Sequence, residues 1–169
     1  MTTLSVWTYP DIEGARRLEQ RLAEGAAGDV VVRDGALATW ALGRAAPRVR
    51  DVEGTARTDS LGVGFWGLLF GIVVAGPELA DLGGGTHQAL DASLSGVGVD
   101  HSLMADLRRG LRPGCSALAI IADDAVADDI HAACTGAGAG GATGRTRPDR
   151  VLRRFTPDQE AALRRVFSA

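Results

Sequence analysis

The chain has no lysine and no asparagine, and all eighteen of its basic residues are arginine. The missing lysine removes two chemistries outright. A Walker A loop needs a lysine on its phosphates, and Schiff-base catalysis needs a lysine amine. Cysteine is scarce too. Cys115 and Cys134 are the only two, without metal-ligand spacing and too few for a disulfide framework. They read as reduced core residues, with a redox pair as the alternative. Aromatic residues are 5% of the sequence. The opening "MTTLSVWTYP" has no basic stretch followed by an apolar run, so no secretion signal is expected and the cytoplasm is the expected compartment.

What is present is ordinary for a globular protein: 46% hydrophobic and 23% charged residues, with a net charge of -3 that singles out no polyanionic partner. A length of 169 residues predicts one domain, 1–169, large enough to bury a substantial core. The use of arginine throughout, with 23 glycines and abundant alanine, fits a GC-rich coding sequence.

Periodicity places the elements. "LSVWTY" predicts a strand that Pro10-Asp11 stops, and Ile12, Ala15, Leu18, Leu22 and Ala26 follow helical spacing until Gly25 and Gly28. Strands are predicted at Val30–Val32 and Ala36–Leu42, with Asp34-Gly35 as a hairpin turn or a bulge. "PRVRDVEG" supplies an edge strand, and "HQALDASLSGVGV" a weakly amphipathic helix. Leu103, Leu107 and Leu111 mark the next helix, with Asp100 as its N-cap and Pro113-Gly114 beyond its end. "CSALAIIAD" is nearly all apolar, which predicts a central strand buried on both faces. "DDAVADDIHAAC" is a helix with acidic residues at its start. After a glycine-rich turn come the last strand, "RVLRRF", and a helix opened by Thr156, Pro157 and Gln159 as a capping box.

This order predicts an α+β fold: a ferredoxin-like antiparallel sheet with helices on one face, interrupted by an inserted glycine-rich helical hairpin over residues 60–98. The second sheet face, where Trp7, Trp40 and Leu42 are expected, needs a cover from the insertion or from another subunit.

The insertion opens with "SLGVGFWGLLFGIVVAGPE", sixteen uncharged residues from Leu61 to Gly76. Gly62, Gly64 and Gly67 spell G-x-G-x-x-G, but polar, irregular residues precede them where a dinucleotide turn needs a buried strand. The second match, in "GAGAGG", follows a helix and fails for the same reason. A membrane span needs about 20 apolar residues, and this run is shorter. Gly67 and Gly71 form G-x-x-x-G, the spacing of a glycine zipper that lets helices approach closely. Glycine costs about 1 kcal/mol relative to alanine in a helix, so tight packing must compensate. With Phe65, Trp66, Leu68, Leu69, Phe70 and Ile72 leaving no polar face, the helix is expected to be buried all round. Self-association is the expected means.

No other cluster carries chemistry of its own. His87, His101 and His131 lack ligand-like partners at close spacing, and surface or capping roles suit them. Asp123, Asp124, Asp128 and Asp129 fit a solvated helix start and no EF-hand loop. Arg145, Arg147, Arg150, Arg153 and Arg154 are interleaved with acidic residues rather than aromatics, so nucleic acid is not an expected partner. Ser116 sits in a strand pattern without the G-x-S-x-G elbow.

"LSVWTYP", "FWGLLFG", "GVGVDHSLMADLRRGLRPGCSALAIIAD" and "TPDQEAALRRVF" occur in that order. Together they resemble an uncharacterised bacterial family, the domain of unknown function numbered twelve sixty-nine. Its members are often labelled membrane proteins because of the glycine-rich centre, and the resemblance implies no catalytic residues. This sequence departs from the family pattern after Pro77. Where relatives continue with a glycine- and alanine-rich apolar arm, "ELADLGGGTHQALDASLSG" is more polar, which favours a protein interface over lipid.

The resulting expectation is a non-enzymatic homo-oligomer, a dimer or larger, with no catalytic, metal or cofactor site. Its interface is formed by Leu61, Gly64, Phe65, Trp66, Gly67, Leu68, Leu69, Phe70, Gly71 and Ile72. Peripheral association with the inner membrane surface through the same segment is the first alternative. A small-molecule, haem or metal site on an open sheet face around Trp7 and Trp40 is the second.

Overall fold

A computed structural model of the chain describes residues 1–52, 61–81, 95–135 and 147–167. Five strands and five helices follow one another as β1 (Thr2–Tyr9), α1 (Gly14–Ala23), β2 (Asp34–Thr39), β3 (Arg48–Asp51), α2 (Gly62–Asp81), α3 (His101–Gly110), β4 (Ser116–Asp123), α4 (Asp124–Thr135), β5 (Asp149–Phe155) and α5 (Pro157–Phe167).

The strands form one sheet in the order β3-β2-β4-β1-β5, antiparallel at every junction. Two β-α-β units, β1-α1-β2 and β4-α4-β5, interleave so that a strand of one separates the strands of the other. That is the ferredoxin-like arrangement, with β3 added at an edge. The near-continuous apolar run of β4 lies in the middle of the sheet, and Ser116 to Ala122 are buried, as expected of a strand covered on both sides.

α1 and α4 cover one face, where Trp7, Leu18, Leu37, Leu118, Ile120 and Ile130 pack together. The other face is closed within the same chain. α2, α3 and α5 bring Phe65, Trp66, Phe70, Leu103, Leu107 and Leu163 into one cluster with Leu4, Val6 and Ile121. Sheet and helix are matched by size here. Ala36 pairs with Ala119 and Ala38 with Ala117, so four small residues make a flat floor in the cluster that holds the bulky side chains of α2. Trp7 and Trp40 therefore do not share a face. Trp7 lies beneath α1 and α4, while Trp40 belongs to the cluster of α2. Leu42 is 79% exposed.

Three local expectations change. Val30–Val32 is not a strand, although its β-branched residues favour one. Arg33 still donates to the Ile121 carbonyl at 3.1 Å, but past Ile121 β4 offers only two residues before α4, so the preceding residues have no partner strand. Gly25 and Gly28, at φ of 83° and 77°, turn the chain away instead. Asp34-Gly35 is the start of β2, not a hairpin turn, and β2 stops at Thr39. Finally, α2 runs through Pro77 to Asp81. The helix predicted over "HQALDASLSGVGV", residues 87–99, falls mostly on residues 82–94, outside the described residues; Val97 and Val99 at its end are buried in the cluster that holds the side chains of α2.

The predicted caps form. The Asp100 carboxylate accepts from Leu103 N at 2.9 Å. Thr156 N donates to Gln159 Oε1 at 2.9 Å while Gln159 N donates to Thr156 Oγ1 at 3.2 Å, which satisfies two otherwise unpartnered helix donors. α1 is started from two places: Asp11 accepts from Glu13 N at 3.0 Å, and Ser116 of β4 accepts from Ala15 N at 3.0 Å.

Candidate functional site

α2 is the element that sets this fold apart from a plain ferredoxin-like sheet, and one buried carboxylate anchors it. Asp34, the first residue of β2, is 4% exposed. Its carboxylate accepts from Leu61 N, at the foot of the helix, and from Trp66 Nε1 at 2.9 Å. Asp34 thus caps the helix and orients its largest side chain from another part of the chain.

The anchored helix has two faces that differ in size rather than polarity. Phe65, Trp66, Leu69, Phe70, Ile72 and Val73 are buried, and Phe65 and Trp66 meet edge to face with centroids 4.9 Å apart. Gly64, Gly67 and Gly71 are exposed on the opposite side, and a Cβ added at any of them would meet nothing within 4 Å among the described residues. Leu68 and Val74 are half-buried beside them. The 64-67-68-71 spacing is a single helical stripe.

The ten residues expected at an interface are thereby divided. Leu61, Phe65, Trp66, Leu69, Phe70 and Ile72 lie in this chain's own core, so they are not available as a contact surface. Gly64, Gly67, Gly71 and, in part, Leu68 are at the surface. Burying each large apolar side chain contributes about 1.5–3 kcal/mol, whereas each glycine costs about 1 kcal/mol. Burial wins, so the helix needs no second copy in order to form. The three exposed glycines are what the chain's own described packing leaves unexplained.

A second cluster lies beneath α4. Trp7 Nε1 donates to His131 Nδ1 at 3.3 Å, and the Arg150 guanidinium stands 5.6 Å from the centroid of the Trp7 ring. Burial, then the positive charge of Arg150, holds the His131 imidazole below its ordinary pKa, with Asp128 opposing. Burial pushes the Cys134 thiol up to about 11, although it is hydrogen-bonded to Tyr9. The Tyr9 phenol is raised as well, first by burial and then by Cys134. Thiol and phenol both stay protonated near neutrality, which suits packing and not a thiolate nucleophile. Cys115 is buried and unpaired with Cys134.

The remaining candidates are dispersed. His101 is exposed in the first turn of α3, and His87 lies outside the described residues. Among the described residues no three His, Cys, Asp or Glu side chains converge as metal ligands. Of the arginines, Arg150 pairs with Asp128 at 3.1 Å, Arg153 with Asp100 at 2.5 Å and Arg154 with Asp124 at 3.2 Å. These pairs tie β5 to the starts of α3 and α4. Arg147 is exposed, and Arg145 lies outside the described residues. No helix among the described residues is long and apolar enough to cross a membrane.

Fold and helix together define an α+β protein of ferredoxin-like topology whose second sheet face is closed by a glycine-striped helix. The chain belongs to the family described as Protein of unknown function (DUF1269), which matches residues 60–168, from the foot of α2 through α5. Comparison with curated proteins and with solved structures gives no match.

Proposed function

We propose that this is a non-enzymatic, self-associating protein, and that the Gly64-Gly67-Leu68-Gly71 stripe of α2 is the surface on which copies meet. One observation carries the reading: three glycines at helical spacing stand exposed, with open space among the described residues where side chains would be, on a helix that buries Phe65, Trp66, Leu69, Phe70, Ile72 and Val73 on its other side. Bare backbone at this spacing lets a second helix approach closely. An isologous pairing of two such helices would bury the stripe and the adjoining Leu68 and Val74 together.

Substituting Gly67 or Gly71 with leucine tests it. Each variant is expected to fold, since the site is open, and to sediment at a lower mass than the parent. Variants that keep the parent's assembly mass contradict the proposal. From Gly62 to Ala75 the helix holds no charged residue, so a lipid surface is the competing occupant. Flotation of the parent with liposomes would favour lipid over a second copy.

A further inference from the structure

Pro77 lies inside α2, four residues after Val73. Its nitrogen carries no hydrogen, so the Val73 carbonyl lacks the i+4 amide donor that a regular α-helix supplies. Val73 is 2% exposed, and a backbone carbonyl at such a position requires a partner. The partner comes from α3. Arg108 Nε donates to the Val73 carbonyl at 2.9 Å, and Arg108 Nη2 reaches the Ile72 carbonyl at 3.4 Å. The neighbouring Arg109 behaves as a surface arginine and pairs with Asp106 one turn away. Among the described residues, the hydrogen bonds of Arg108 go to these two carbonyls.

We infer that Arg108 and Pro77 form an interhelical clasp. The guanidinium replaces the hydrogen bond that proline deletes, and it fixes α2 against α3 at the level of Val73. Arginine suits the task because two of its planar N–H groups can address successive carbonyls at once, whereas a lysine ammonium would offer a point charge. The clasp is a positioning device, and it stands or falls independently of whether the glycine stripe meets another copy.

A double-mutant cycle tests it. Arg108→Met removes the donors and keeps most of the stem; Pro77→Ala restores the amide that the Val73 carbonyl lacks. All four proteins are unfolded thermally at equal concentration. The clasp predicts that Arg108→Met lowers the midpoint by several degrees in the parent and by less than half as much in the Pro77→Ala background. Should Arg108→Met fail to fold, the double variant is expected to recover a cooperative transition. An equal loss in both backgrounds, or a double variant that also fails to fold, overturns the clasp. The sedimentation mass of the parent reports separately on the stripe.

Discussion

The same substitution should have opposite consequences at two glycines, because one is packed and the other is not. A Cβ at Gly14 would stand 2.4 Å from the Tyr9 ring, inside van der Waals contact. Gly14→Ala is therefore expected to destabilise the fold by about 1–3 kcal/mol through overpacking. At Gly67 a Cβ meets nothing within 4 Å among the described residues, so Gly67→Ala should stabilise the single chain by up to about 1 kcal/mol. Denaturant midpoints of the two variants, under conditions where the chain is monomeric, check the pair. Loss of stability at both positions would mean that Gly67 is packed after all. A second residue-scale prediction concerns acid. Burial, then the charge of Arg150, lowers the pKa of His131, with Asp128 opposing and Arg147 adding to this, while Trp7 donates to its ring. Its folded pKa lies below the unfolded value of about 6.5. The unfolded chain thus binds the proton more readily, and stability falls as pH drops below about 6.5. Glu160 is lowered too: burial opposes this, but hydrogen bonds from Thr2 and Arg164 outweigh it. Its contribution is present above its ordinary carboxylate range and is lost at lower pH, as a later stage. His131→Gln should flatten the slope just below pH 6.5 and leave the carboxylate stage in place. An unchanged slope there would remove His131 from the account.

At the scale of elements, the Asp34 carboxylate of β2 hydrogen-bonds the start of α2 and its Trp66 ring, in addition to the packing of α2 on the sheet. Asp34→Ala would leave Leu61 N and Trp66 Nε1 without their acceptor in a buried setting, at a cost of about 2–4 kcal/mol. The fluorescence of the three tryptophans, followed through urea unfolding, should report a lower midpoint. An unchanged midpoint would show that the helix is held by packing alone. Much at this scale was legible in the sequence. Asp100, Thr156 and Gln159 cap where their spacing predicts, and the apolar run of β4 is central, because caps and burial are local or compositional signals. The sidedness of α2 was not legible by polarity, since both faces are apolar. The readable signal was size, with Gly64, Gly67 and Gly71 alternating against Phe65, Trp66, Leu69 and Phe70. Asp34 gave no sign of its role, for its partners are Leu61 and Trp66, far along the chain. Val30–Val32 misled because strand propensity acts only where a neighbouring strand exists.

At the scale of the molecule, the sheet is covered on both faces by one chain, and α2 serves as a core layer. The region that matches the family begins at residue 60, yet the sheet cannot be completed from it. β1 lies between β4 and β5 and pairs with both, and β2 carries the anchor of α2. The chain before residue 60 is thus integral to the structure of the family-matching part. With its sheet faces covered, its β5 arginines paired and its buried thiol and phenol protonated, the molecule's least explained feature is the bare stripe on α2. The most direct measurement is the mass of the purified chain in detergent-free buffer, by sedimentation over a range of concentrations. The proposal predicts a discrete species at a multiple of 17.5 kDa that shifts toward a single chain in Gly67→Leu. A species that stays at 17.5 kDa at every concentration would contradict it.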